Sequence, residues 1–394
     1  MTFGRIAGAA ALAGIIAALL CAFGPAAQYT PDGYDYAIVM LMDRGVPYAQ
    51  AQQQAAAFYA HEPDAKNPLI APWLRGKPEY WELFSVRRLD PWLASRLYPW
   101  RGFDALIAVS RISYVIVAML IVLLAARFAP LRYGVLLAVA VSLFPPWRDL
   151  GRDALTDALA VALVTSTLLA AAAFITKRSS WKLLVFAGLC GALTLTRPIT
   201  YIVLGAALIA LIVALRRRDR DRTIAAAWLS GVALLGTAAI AFALERAQTP
   251  SFGWFVADQY RHLVAGGYSA PGQSLAHWYL LEEWTIAWHA ILKGSVAVLP
   301  LLAILGIAWR RTDPATPLVA GACLATWSGA LLDPNRFDMI RTVVMPIAPA
   351  LAAFAAAAIA DGVTLVPRLL GPAAQSVRHF IPGRYPPRKD TVKE

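Results

Sequence analysis

The sequence predicts an all-α polytopic membrane protein of about ten transmembrane helices. Three observations carry that expectation. Of 394 residues, 59% are hydrophobic and only 15% are charged, whereas a soluble chain of this size holds about 45–50% apolar and about 25% charged residues. Mean hydropathy is +0.56, and the apolar excess is spread along the chain rather than gathered in one anchor. The basic residues fall in alternate loops. Together these exclude a secreted soluble enzyme, a cytosolic dinucleotide-binding protein and a disordered chain.

Runs of about 20 apolar residues mark the spans. They fall at 6–24, 105–126, 133–147, 154–176, 183–197, 199–215, 223–244, 288–308, 315–332 and 342–360. The first follows Arg5 and ends on Cys21-Ala22-Phe23-Gly24, a poor cleavage site, so it is expected to stay as an anchor. Pro145-Pro146 closes the third, and the fifth and sixth meet at Arg197-Pro198. With both termini in the cytoplasm, the inner segments hold 19 of 36 basic residues and 6 of 24 acidic ones. The outer segments then hold 17 basic and 18 acidic residues. This sorting follows the positive-inside rule and makes the net charge of +12 a sign of orientation, not of nucleic-acid binding. The expected organisation is a transmembrane domain over 1–360, with two large outer loops at 25–104 and 245–287. A basic tail over 361–394, expected to be disordered, lies beside anionic lipid. The expected location is a bacterial plasma membrane with any chemistry on the extracytoplasmic side.

The three cysteines, Cys21, Cys190 and Cys323, all fall in spans and read as core packing. The chain has no phosphate-cradling glycine loop ending in Lys-Ser/Thr, no H-E-x-x-H, no C-x-x-C and no G-x-S-x-G. Spans carry no rows of charge, and no internal repeat of the kind many carriers show is visible. The ionisable residues gather instead at the outer ends of spans.

The first outer loop opens with Tyr29-Thr30-Pro31-Asp32-Gly33-Tyr34-Asp35-Tyr36. Asp32 and Asp35 share a face on a helical turn. A carboxylate held just above the lipid can act as a general base, and partial burial raises its pKa toward a useful value. Pro-Asp-Gly is also ordinary turn chemistry, in which Asp32 caps the following helix.

The layout resembles the GT-C superfamily of integral-membrane glycosyltransferases, in the bacterial mannosyl- and arabinosyltransferase type. Those proteins place an acidic residue right after the first span, often as D-x-x-x-Y, a short helix and G-x-P-Y. Here that is Asp32, Tyr36, Gly45, Pro47 and Tyr48. Many members read Asp-Glu at the start, where this chain has Asp32-Gly33. The resemblance implies a GT-C-like fold with amphipathic helices in the two outer loops. It implies a polyprenyl-phosphate-linked sugar donor and a cell-envelope glycan or lipid acceptor, with inverting transfer and Asp32 as base, Asp35 being the alternative. A lipid-linked sugar flippase or other carrier is the competing function.

Four further clusters complete the expected site. Arg148 and Arg152 follow the third span and can hold a lipid phosphate. Asp153 and Asp157 can orient those arginines, position the acceptor with Tyr36, or contribute to a divalent cation site (Mg, Mn or Ca); two carboxylates alone do not make one. Arg111 and Arg197 lie at the outer ends of spans and either snorkel or face a cleft and hold the donor phosphate. In the second loop Trp254, His262, Glu282 and His289 are candidates for sugar or acceptor contact. Eight of 13 tryptophans lie in or beside outer loops, more lopsided than a plain interfacial belt. Finally, Arg336 and Arg341 precede the last span and can neutralise a leaving phosphate.

Overall fold

A computed structural model describes residues 2–24, 28–61, 78–265, 267, 269–282, 285, 298–330 and 344–378. Among the described residues there are helices and turns but no strand. In chain order the helices are α1 (Phe3–Phe23), α2 (Pro31–Met42), α3 (Tyr48–Tyr59), α4 (Pro78–Ser85), α5 (Leu89–Arg101), α6 (Asp104–Ala125), α7 (Leu131–Leu143) and α8 (Pro145–Leu150). Then come α9 (Asp157–Thr176), α10 (Ser180–Thr194), α11 (Thr200–Arg216), α12 (Arg220–Arg246) and α13 (Phe252–Ala265). Three more helices follow, at Val298–Trp309, Thr316–Ala330 and Ala348–Arg378.

Among the described residues, five helical segments are long and apolar enough to cross a membrane: α1, α6, α9, α12 and Met345–Val363. Four shorter apolar helices accompany them: α7, α10, α11 and Val298–Trp309. Their packing inverts that of a soluble bundle. On α1 the buried face is Ala10, Ala13, Gly14, Ala17 and Cys21, while Leu12, Ile15 and Leu19 are at least half exposed. On α12, Leu235 and Phe242 point outward while Ala225, Ala226 and Ala233 are buried. In water each such outward Leu or Phe would forgo about 1.5–3 kcal/mol of burial. In lipid it forgoes nothing, and small residues let backbones approach. The closest approach is at Gly306, where an added Cβ would lie 2.0 Å from the Phe354 carbonyl oxygen. The chain is thus an all-α membrane protein.

Three expected boundaries are corrected. The run 133–147 is two helices: Phe144 leaves helical geometry at ψ 118°, because the residue before a proline is pushed out of the α region. Pro145-Pro146 then starts α8. The run 154–176 begins as a helix only at Asp157, after a turn. The last helix passes 360 and continues to Arg378, so 361–378 is helical where a disordered tail is expected. Residues 379–394 lie outside the described residues.

Contacts sort the two ends of the bundle. At one end Arg127 pairs with Asp313 at 3.2 Å, Arg178 with Asp221 at 2.7 Å and Arg310 with Asp361 at 2.6 Å. All six residues belong to the segments assigned to the inner side by charge. The carboxylates of α2, α5 and the α9 start lie at the opposite end, because α6, α9 and α11 each run from that end to the inner one, with α7 and α10 returning between them. Leu89 N–H donates to the Leu195 carbonyl at 2.9 Å, joining α5 to the end of α10.

Candidate functional site

Helix α2 is the centre of that opposite end. Its N-cap is Thr30, whose hydroxyl accepts from Gly33 N–H at 3.1 Å. The capping role that the sequence also allows for Asp32 therefore belongs to Thr30. Asp32 sits in the first turn, half-buried. The same start is stitched to the α9 turn. Ala154 N–H donates to the Gln28 carbonyl at 3.1 Å, and Gln28 N–H donates to Asp153 Oδ1 at 2.9 Å. Gly33 lies so close that an added Cβ would meet Tyr59 Oη at 2.7 Å and the Ala154 carbonyl at 2.9 Å. A side chain at 33 would press on both.

One turn further along α2, Asp35 and Tyr36 enter a buried polar cluster. Tyr36 is fully buried; its hydroxyl is 3.1 Å from Thr156 Oγ1 and accepts from Arg87 Nη1 at 3.0 Å. Arg87, in the turn between α4 and α5, stacks over the Phe84 ring at 5.0 Å and leaves its Nε buried without a partner. Burial pushes the Asp35 carboxyl up to about 8; the Asp32 charge adds to the shift and Arg87 opposes it. Beyond Thr156, Asp157 forms an ion pair with Arg197. Asp90, at the start of α5, is 1% exposed with Oδ2 unpartnered. Burial, and next the Asp157 charge, hold the Asp90 carboxyl well above the usual range. Three stretches of chain, α2, the α9 start and the break between α10 and α11, thus bring Asp32, Asp35, Tyr36, Asp157 and Arg197 to one end of the bundle.

The remaining expected residues have different surroundings. The Arg152 guanidinium is 2% exposed: Nε donates to the Arg148 carbonyl at 2.6 Å, Nη1 donates to the Leu20 carbonyl at 3.2 Å, and Nη2 lies 3.7 Å from Asp149 Oδ1. It closes the C-terminal end of α1. Arg148 pairs with its neighbour Asp149 at 2.7 Å on the surface. Arg111 lines a groove of about 430 Å³ with Tyr29, Arg101 and Asp104. Asp153 and Asp157 turn to different partners, Gln28 and Arg197. Among the described residues no three His, Cys, Asp or Glu side chains gather as a metal set. In the second loop Val256, Leu263 and Trp278 make a small core with Tyr260 and Tyr279. Trp254 sits half-buried on α13, edge-on to Phe255 at 5.3 Å. The side chains of His262 and Glu282, and all of His289, Arg336 and Arg341, lie outside the described residues.

Sequence reasoning passed over Arg87, Asp90 and Arg101. The available signal was Arg87-Arg88-Leu89-Asp90, a basic pair with an acid three residues after Arg87. It does not show that Arg88 faces out to Asp43 at 3.1 Å while Arg87 turns in. No protein-family model matches this chain, and no curated protein matches it.

Proposed function

We propose that this protein is an inverting glycosyltransferase of the outer membrane face, using a polyprenyl-phosphate sugar donor and a cell-envelope glycan or lipid acceptor. The observation that supports this reading is the cluster itself. Two carboxylates on the first turns of α2 flank Tyr36, which bonds Arg87 and Thr156 next to the Asp157–Arg197 pair, at one end of an apolar bundle. In the proposed reaction Asp32 takes the proton from an acceptor hydroxyl as that oxygen bonds to the anomeric carbon. The bond from that carbon to the phosphate oxygen breaks, and the lipid phosphate leaves with the electron pair. An arginine beside that oxygen lowers the barrier by meeting charge as it develops. Asp35, pushed up to about 8, keeps a proton at neutral pH and serves as a hydrogen-bond donor there, which leaves the base role to Asp32.

The test is transfer from a labelled polyprenyl-phosphate hexose by the purified protein. Asp32→Asn is expected to lower the rate by about 10²–10⁴, the size of a general-base contribution. Asp35→Asn is expected to retain more activity than Asp32→Asn. Transfer that survives both substitutions sinks the proposal, and lipid-sugar transport without transfer moves the assignment to a carrier.

A further inference from the structure

The groove lined by Tyr29, Arg101, Asp104, Ile107, Arg111 and Ile112 is separate from the buried cluster and has a chemistry of its own. It holds two guanidiniums and one carboxylate, an excess of one positive charge. Among the described residues neither Arg101 nor Arg111 forms an ion pair, and Arg111 Nε is buried with no hydrogen-bond partner. Asp104 accepts from the Tyr29 hydroxyl, yet a carboxylate has room for further donors. The rest of the wall is apolar and belongs to α6, one of the segments able to cross a membrane. Ile112 and Ile116, one turn apart on that helix, are 54% and 40% exposed, so the groove's lower edge opens sideways onto lipid. A soluble anion would gain nothing from that edge.

We propose that this groove binds the head of a lipid that carries a single phosphate charge and a hydroxylated head group. Its phosphate sits between Arg101 and Arg111, its hydroxyls donate to Asp104, and its chains lie along Ile112 and Ile116. Paired guanidiniums suit phosphate oxygens by their planar donor fork, and the volume falls in the range of small-ligand sites. Two sources share this chemistry, a phosphatidylglycerol of the bilayer and a polyprenyl-phosphate sugar. The site stands whether or not the chain transfers sugar.

Native mass spectrometry of the full chain, released from lipid nanodiscs, reads this directly. The probes are phosphatidylglycerol, a polyprenyl-phosphate hexose, phosphatidylcholine and free glycerol phosphate. The unaltered chain is expected to retain one or both of the first two, and the one held more firmly identifies the source. Arg101→Gln/Arg111→Gln is expected to cut retention by roughly tenfold or more, and Arg101→Gln alone by roughly threefold or more. Arg101 is exposed, so the single variant keeps the measurement meaningful where the double variant fails to fold. Retention unchanged by Arg101→Gln overturns the proposal, as does equal retention of phosphatidylcholine, or no retention of the first two lipids. Retention of free glycerol phosphate as firm as that of the lipids overturns its lipid part. Transfer activity does not enter the readout, so failure here leaves the proposed reaction untouched and the reverse also holds.

Discussion

Single atoms set the geometry around α2. At Gly33 the absent Cβ is what lets the helix lie against the Ala154 backbone and the Tyr59 hydroxyl. Backbone on one side cannot yield, so Gly33→Ala is expected to lose about 1–3 kcal/mol, the usual size of overpacking, read as a lowered unfolding midpoint in detergent. Asp35 gives a second test. Its carboxyl is pushed up to about 8 by burial and then by Asp32, so the folded state binds a proton that the unfolded state releases near pH 4. Stability from this group is therefore full below about pH 4 and declines as pH rises through about 8. Unfolding midpoints of the unaltered chain and Asp35→Asn, followed from pH 5 to 9, should diverge with rising pH, the parent losing more. Parallel curves would show that Asp35 titrates as an ordinary carboxylate. The sequence placed Asp32, Asp35 and Tyr36 on one turn because helical spacing is local. It did not separate Arg87 from Arg88, since which of two adjacent arginines turns inward depends on Phe84 and Tyr36.

Between elements, the most buried ion pair among the described residues is Arg197–Asp157, 15% and 2% exposed at the side chains. It fastens the break between α10 and α11 to the start of α9. Removing one partner strands a buried charge, so Arg197→Met is expected to cost about 3–5 kcal/mol, whereas Arg197→Met/Asp157→Leu should recover much of it. A double-mutant cycle on thermal unfolding measures the coupling; additive single effects would show that the pair holds nothing together. The helices themselves were readable, since apolar runs and proline breaks are sequence features. The close of the third run at Pro145-Pro146 was readable, but not the short helix α8 that restarts on those prolines. The continuation from 360 to Arg378 was missed because Gly362, Pro367, Gly371 and Pro372 look like helix breakers, and the helix runs through them. Pairings such as Gln28 with Asp153 span 125 residues, and no local pattern encodes them.

For the whole molecule, the charge sorting becomes a prediction about sides. Arg178 and Arg310, with their acid partners, lie at one end, and the α2 cluster lies at the other. In intact cells, Arg218→Cys is expected to resist an impermeant maleimide and Trp100→Cys to react. Trp100 is 79% exposed, and two of the three native cysteines, Cys21 and Cys190, are buried; the unmodified chain supplies the baseline. Reversed labelling would invert the topology and put the proposed reaction on the wrong side. The closure of α1 by Arg152 has a further consequence, in the order of synthesis. The Leu20 carbonyl waits for a guanidinium encoded 132 residues later. At about 5–20 residues per second that is roughly 7–26 s of translation. Gln28 and the α2 start wait for Asp153 and Ala154 over the same interval. The first helix must therefore reside in the bilayer with its outer end unfinished, while the seven helices α2 to α8 are made behind it. The carboxylate turn is assembled late and as a unit, so a ribosome stalled before residue 150 should leave an inserted but unbuilt site.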